Sequence, residues 1–135
     1  MLRYVFYFVL LLWLSIHCNN NIPETRISKF WKVESGFQFC EIVADGRCVT
    51  DGFGNYGNHE SCTVKALQPL ILTTVQYDIQ SRNDYITVGG ARYEYSGPAQ
   101  LKVAKGTELT WRSDGSSTNG GFKVCAQSGG SFPLA

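Results

Sequence analysis

The sequence predicts an all-β protein, an antiparallel sandwich or barrel built from short strands. The 135-residue chain contains 18 aromatic residues against one methionine, a balance that suits strands better than packed helices. Apolar and polar residues alternate with a period of two in several segments, and no segment sustains the helical period of 3.6. Glycine-rich turns separate these segments about every ten residues, a spacing typical of sandwiches and barrels.

The individual strands follow from this alternation and from the turns between them. Gly89-Gly90 is a strong hairpin signal, because a two-residue turn of this kind needs positive φ at both positions. Trp31 and Trp111 are predicted core residues, and Val49 is expected to face the core as well. The predicted strands are 62–66, 70–77, 84–88, 92–95, 101–103, 109–111 and 122–124.

The N-terminal segment is predicted to direct export. One basic residue, Arg3, precedes 13 residues without a charge, which suits a signal peptide better than a membrane span. An uncleaved signal anchor is the alternative. The expected organisation is a signal peptide at 1–18, a linker at 19–30, one domain at 31–126 and a flexible tail at 127–135. The product is then secreted, with no membrane insertion after signal removal.

The cysteines agree with export. Without Cys18 of the signal segment, four remain: Cys40, Cys48, Cys62 and Cys125. An even number in a small exported chain predicts two disulfides, for which three pairings exist. A zinc site is disfavoured, since the spacings contain no Cys-x-x-Cys knuckle.

Several motifs in order along the chain resemble a CUB domain, in a divergent, single-domain form. The resemblance spans about residues 31–126, and its strongest part is the Ser-Asp-x-Ser loop after a tryptophan-bearing strand. It implies a jelly-roll-like β-sandwich of two antiparallel sheets, without catalytic activity, that binds extracellular proteins and often uses calcium. The motifs are GNYGN at 54–58, ESCTV at 60–64, DYITV at 84–88, YSGP at 95–98, LTWRSDGS at 109–116 and GGFKV at 120–124.

The same resemblance implies a disulfide pairing. The family's early bridge corresponds to Cys40–Cys62, which leaves Cys48–Cys125 by elimination. Cys48 and Cys125 would then meet across a ladder, provided that their strands are neighbours. The runner-up is Cys40–Cys48 with Cys62–Cys125.

The resemblance further implies a calcium site. It carries over Asp84 and Asp114 as anionic ligands, Ser116 as a neutral oxygen donor and Tyr56 as a supporting residue. The family's glutamate falls at Gln80, which removes one formal charge, and calcium affinity depends on ligand charge. The alternative is that both aspartates cap loops by accepting backbone hydrogen bonds.

The expected function is extracellular recognition or adhesion, with a protein or glycoconjugate as partner and calcium-ordered loops as one route. Tyr93 and Tyr95, with Tyr56, are candidates for an aromatic ligand surface, for which cross-strand packing is the alternative. A structural subunit of an extracellular assembly, with self-association, is the alternative function, and a carbohydrate-binding sandwich is a third.

A net charge of +1 disfavours a nucleic-acid partner. His59 stands without a nucleophile motif, so no enzyme is expected.

Overall fold

The computed structural model describes residues 26–80 and 82–130, and over these residues all regular secondary structure is β-strand. Ten strands form two antiparallel sheets of five strands each. The first sheet has the order β1-β4-β9-β6-β7 and the second the order β2-β3-β10-β5-β8. The strands are β1 (Trp31–Ser35), β2 (Glu41–Val43), β3 (Cys48–Thr50), β4 (Ser61–Ala66), β5 (Leu70–Asp78), β6 (Tyr85–Val88), β7 (Ala91–Tyr93), β8 (Leu101–Val103), β9 (Glu108–Arg112) and β10 (Gly121–Ser128). The predicted all-β, two-sheet architecture is confirmed.

The core lies between the sheets and is filled by the apolar positions of alternating strands. Along β4, buried residues occur at every second position, because successive side chains of a strand point to opposite faces. Trp31 and Trp111 are almost completely buried, as the sequence predicts. Both indole N–H groups have acceptors: the carbonyl of Arg47 at 3.0 Å and a carboxylate oxygen of Glu60 at 2.9 Å. Burial of these rings therefore leaves no indole donor without a partner.

The predicted hairpin connects β6 and β7. Val88 pairs with Ala91, so Gly89 and Gly90 form the two-residue turn, with φ of 57° and 85°. Positive φ at both central positions is what this turn type requires.

Both disulfides have the favoured pairing. Cys48 and Cys125 are direct partners on the neighbouring strands β3 and β10, with 4.0 Å between their Cα atoms. Cys40–Cys62 joins the chain before β2 in the second sheet to β4 in the first sheet. The runner-up pairing is therefore wrong. Two disulfides are compatible with an oxidising, extracellular environment.

The folded unit extends beyond the predicted bounds of 31–126. Phe30 is buried in the core, and the Ser28 hydroxyl accepts hydrogen bonds from the backbone N–H groups of Phe30 and Trp31. At the other end, β10 continues to Ser128. The predicted signal peptide, the first part of the linker and residues 131–135 lie outside the described residues. Within the described part of the chain, no helix is long and apolar enough to cross a membrane.

Candidate functional site

Three loops meet at one end of the sandwich around the carboxylate of Asp84. The loops are β3–β4 (51–60), β5–β6 (79–84) and β9–β10 (113–120). Asp84 is fully buried, and each of its carboxylate oxygens accepts a hydrogen bond. Oδ2 accepts from the Tyr56 hydroxyl at 2.8 Å, and Oδ1 accepts from the backbone N–H of Asp114 at 2.7 Å. One side chain thus links all three loops.

Tyr56 connects this loop cluster to the core. Its ring meets Trp111 edge to face, with 5.0 Å between ring centroids, and its hydroxyl also accepts the backbone N–H of Gln80 at 3.1 Å. Burial raises the pKa of the Tyr56 hydroxyl to about 12, so it remains a donor to Asp84 at physiological pH. With only 3% of its surface exposed, Tyr56 cannot belong to a ligand surface with Tyr93 and Tyr95.

Asp114 and Ser116 form a local turn beside Asp84. The Asp114 side chain accepts the backbone N–H of Ser116 at 2.9 Å, an Asx turn of the kind aspartates commonly form. The Asp114 carbonyl accepts the backbone N–H of His59 at 2.8 Å. The structure therefore brings Asp84 and Asp114 together, but the contact between them runs through the Asp114 backbone.

The ligand set carried over from the CUB resemblance fits calcium poorly. Calcium takes six to eight oxygen ligands, and its affinity rises with the number of charged ones. The two carboxylates here are Asp84, whose oxygens both accept hydrogen bonds, and Asp114, while Gln80 is neutral. Over the described residues, no group of three or more His, Cys, Asp or Glu side chains could hold a metal ion. The hydrogen bonds match the loop-cap alternative, and calcium binding stays a prediction.

A polar pocket of about 440 Å³ opens next to this cluster, on the outer face of the first sheet. Tyr85 and Arg112 are cross-strand partners on β6 and β9, and the Arg92 guanidinium lies 3.7 Å from the centroid of the Tyr85 ring. Arg92 also pairs with Glu94 at 2.8 Å. Arg112 makes no ion pair with another described residue. His59, Asn83, Ser113, Asp114 and Gly115 complete the lining.

Two acidic side chains near the loop cluster were not among the sequence candidates. Glu60 accepts the backbone N–H of Gly57 at 2.6 Å and the Trp111 indole N–H at 2.9 Å. Asp51 accepts the backbone N–H of Phe122 at 2.7 Å through Oδ1, whereas its buried Oδ2 has no partner among the described atoms. Burial raises the pKa of the Asp51 carboxyl to about 6. Nothing local in the sequence indicates the contacts of Glu60 with Trp111 and of Asp51 with Phe122, which join residues 51 and 71 positions apart.

The two predicted ligand-surface tyrosines differ in exposure. Tyr93, on β7, packs against the core, and its carbonyl accepts the Tyr77 hydroxyl at 2.5 Å. Tyr95 is 72% exposed, and its hydroxyl accepts the Arg82 Nε–H at 2.9 Å. Only Tyr95 therefore presents most of its surface to a ligand.

Comparisons of the chain with protein-family models, with curated proteins and with solved structures found no match.

Proposed function

We propose that this chain is a secreted recognition module, a divergent CUB domain, that binds an extracellular protein through the loop cluster around Asp84. The observation that carries the proposal is the link made by one buried carboxylate between three loops. The order of motifs in the sequence and the two-sheet sandwich with its disulfides are consistent with a CUB domain. Loops at one end of a rigid sandwich are common binding surfaces.

Pre-ordered loops favour binding because less conformational entropy is lost when the partner docks. The Asp84 carboxylate fixes the backbone at Asp114 and, through Tyr56, the backbone at Gln80. The loops therefore need no ion to take up their positions relative to one another. The proposal does not depend on calcium, and the response of the loops to calcium is open to direct measurement.

The pocket beside the loops suggests which groups of a partner would bind. Arg112 has no ion-pair partner among the described residues, and Arg92 stacks on Tyr85. A guanidinium matches the planar geometry of a carboxylate and binds it with two parallel hydrogen bonds. We therefore expect Asp or Glu side chains of the protein partner to bind at Arg112.

Affinity capture tests the proposal. The secreted protein would be immobilised and exposed to the extracellular fraction of its source culture, in calcium and in a chelator, and bound proteins identified by mass spectrometry. Arg112→Glu should abolish retention of the partner, whereas Lys105→Glu, a charge reversal in the exposed β8–β9 turn, should not. Equal retention by Arg112→Glu, or no retention by the wild type, would contradict the proposal. Recovery of further copies of this chain alone would favour the structural-subunit alternative.

A further inference from the structure

A row of polar side chains crosses the outer face of the second sheet, away from the Arg112 pocket. Glu41 pairs with Thr50, Thr50 with Lys123 and Lys123 with Gln76, so these four residues lie in register across β2, β3, β10 and β5. The buried strand neighbours of the first three are Ile42, Val49, Phe122 and Val124, and Gln76 is itself exposed beside its partner Lys123, which places the row on the solvent-facing side. Three strand spacings give the row a length of about 14 Å.

An exposed aromatic ring stands at the edge of this row. Phe53 projects from the β3–β4 loop with its whole side chain in solvent, the most exposed large apolar side chain in the described part of the chain. It lies between Gly52 and Gly54, whose φ values of 115° and 85° are favoured by glycine. The loop is fixed at its base, because Asp51 accepts the Phe122 backbone N–H and Thr50 bonds to Gly52. Phe53 is thus held in solvent by a defined turn.

Phe53 and the polar row together line a shallow groove of about 440 Å³, within the range of small-molecule sites. Around the ring, the groove is lined mainly by groups that donate or accept hydrogen bonds, and Val43 is the one other apolar side chain in the lining. The Gln76 amide donates to the Gly120 carbonyl at 2.7 Å, which leaves its oxygen as an acceptor. The Thr50 hydroxyl donates to the Gly52 carbonyl and accepts its N–H, which leaves one lone pair as an acceptor, and Asn55 offers a second amide.

We infer that this groove binds a neutral saccharide. A pyranose ring has an apolar C–H face, which stacks on an aromatic ring, and a rim of hydroxyls, which need several donors and acceptors. One isolated aromatic ring surrounded by amides, a hydroxyl and charged groups supplies this combination, whereas a protein hot spot is expected to surround its anchor with further apolar contacts.

The charges of the groove select for a neutral sugar. Glu41 and Lys123 contribute one negative and one positive group, and neither forms an ion pair with another described residue. The groove therefore has no net charge to attract a sulfated or uronic acid polymer, in contrast to the arginine-lined pocket on the other sheet. The two surfaces have no lining residue in common, so either one can fail experimentally without affecting the other.

Affinity electrophoresis tests the inference. The protein would be run in native gels containing a soluble neutral glucan, mannan or galactan, with an alginate gel as the anionic comparison. We expect at least one neutral polymer to retard the wild type, and Phe53→Ser to weaken that binding by at least about tenfold. Because Phe53 makes no buried contact, this variant should melt at the wild-type temperature.

Phe37→Ser is the matched control, since it also removes an exposed phenylalanine ring, but one outside the groove. Its retardation should stay within about twofold of the wild type. Gln76→Ala should weaken binding and lower the melting temperature only slightly, since the hydrogen bond to Gly120 that it removes is exposed. No retardation of the wild type by any neutral polymer, equal retardation of Phe53→Ser, or loss of binding only in Phe37→Ser would each overturn the inference.

Discussion

The carboxylate of Asp84 has a structural role that its position in a loop does not reveal. It is the one charged side chain that is fully buried among the described residues, and it meets the rule that a buried charge must be hydrogen-bonded. Both of its donors come from other loops. Its removal would therefore leave the Tyr56 hydroxyl and the Asp114 N–H without an acceptor in a water-poor site.

We predict that Asp84→Ala lowers the free energy of unfolding by about 3 kcal/mol, since hydrogen bonds to a charged group each contribute about 1.5–3 kcal/mol. Tyr56→Phe should cost about 1–2 kcal/mol, because Asp84 keeps its second donor. Asp114→Ala is the control: it removes a carboxylate but keeps the backbone N–H that Asp84 accepts. Urea denaturation measures all three. Equal losses for Asp84→Ala and Asp114→Ala would contradict the structural role.

Asp51 is predicted to make stability pH-dependent. Its pKa rises from an ordinary 3.8 to about 6 in the folded protein, mainly because burial disfavours the charged form. The folded state therefore binds the proton more tightly than the unfolded state. The resulting stabilisation is complete below about pH 3.8 and is lost as the pH rises through about 6.

Asp51→Asn should cancel this dependence. The melting temperature of the variant minus that of the wild type should be largest at pH 7.5 and should shrink as the pH falls to 4. His59→Asn is the control, because it replaces another polar side chain of the same loop and leaves Asp51 in place. Scanning calorimetry at four pH values suffices. A difference that stays constant from pH 7.5 to 4 would show that Asp51 does not titrate in this range.

At the scale of elements, the sequence predicts β4 to β10 and does not delimit the first three strands, β1 to β3. The segments 62–66 and 70–77 correspond to β4 and β5, because alternation over five or more residues gives a clear signal. β2 and β3 have three residues each, too few to establish a period of two by themselves, whereas the equally short β7 is indicated by the Gly89-Gly90 turn before it. For the loop cluster, the sequence motifs identified several of the residues but not the contacts between them. The contact from Asp51 to Phe122 spans 71 residues and follows from the pairing of β3 with β10, which no local pattern encodes.

The loops themselves allow a direct test of the calcium hypothesis. The hydrogen bonds around Asp84 form without a third carboxylate, so we expect millimolar calcium to raise the wild-type melting temperature by less than about 2 °C. Gln80→Glu adds the charge that the CUB pattern has at this position and should respond more strongly. Asp114→Ala in the Gln80→Glu background should remove that response. A wild-type rise of several degrees that Asp114→Ala abolishes would instead establish calcium as a native ligand.

At the scale of the whole molecule, the assignment of strands to the two sheets is the part that the sequence could not predict. Alternation has the same period in both sheets, so it shows which residues face inward but not which sheet they join. The cysteines were more informative. The favoured Cys48–Cys125 bridge required its two strands to be neighbours, and the structure shows that β3 and β10 are neighbours and that Cys40–Cys62 connects the two sheets.

The sheet edges bear on the choice between a recognition module and an assembly subunit. β1 and β7 are the edges of the first sheet, and β2 and β8 are those of the second. Three of these strands have only three residues, and β1 carries Lys32 and Glu34 beside an irregularity in its register. Short, charged or irregular edges resist pairing with another copy of the chain.

We therefore predict a monomer. Light scattering after size-exclusion chromatography should give a mass no greater than the 15.0 kDa of the full chain, at protein concentrations up to about 100 µM. Replacing Lys32 and Glu34 together by valine removes the charges from the longest edge strand and should promote association in the same assay. If the wild type already forms concentration-dependent oligomers, edge pairing is not blocked. The structural-subunit alternative would then explain the molecule better than recognition of a separate partner, because the sheet edges would serve to join copies of the chain.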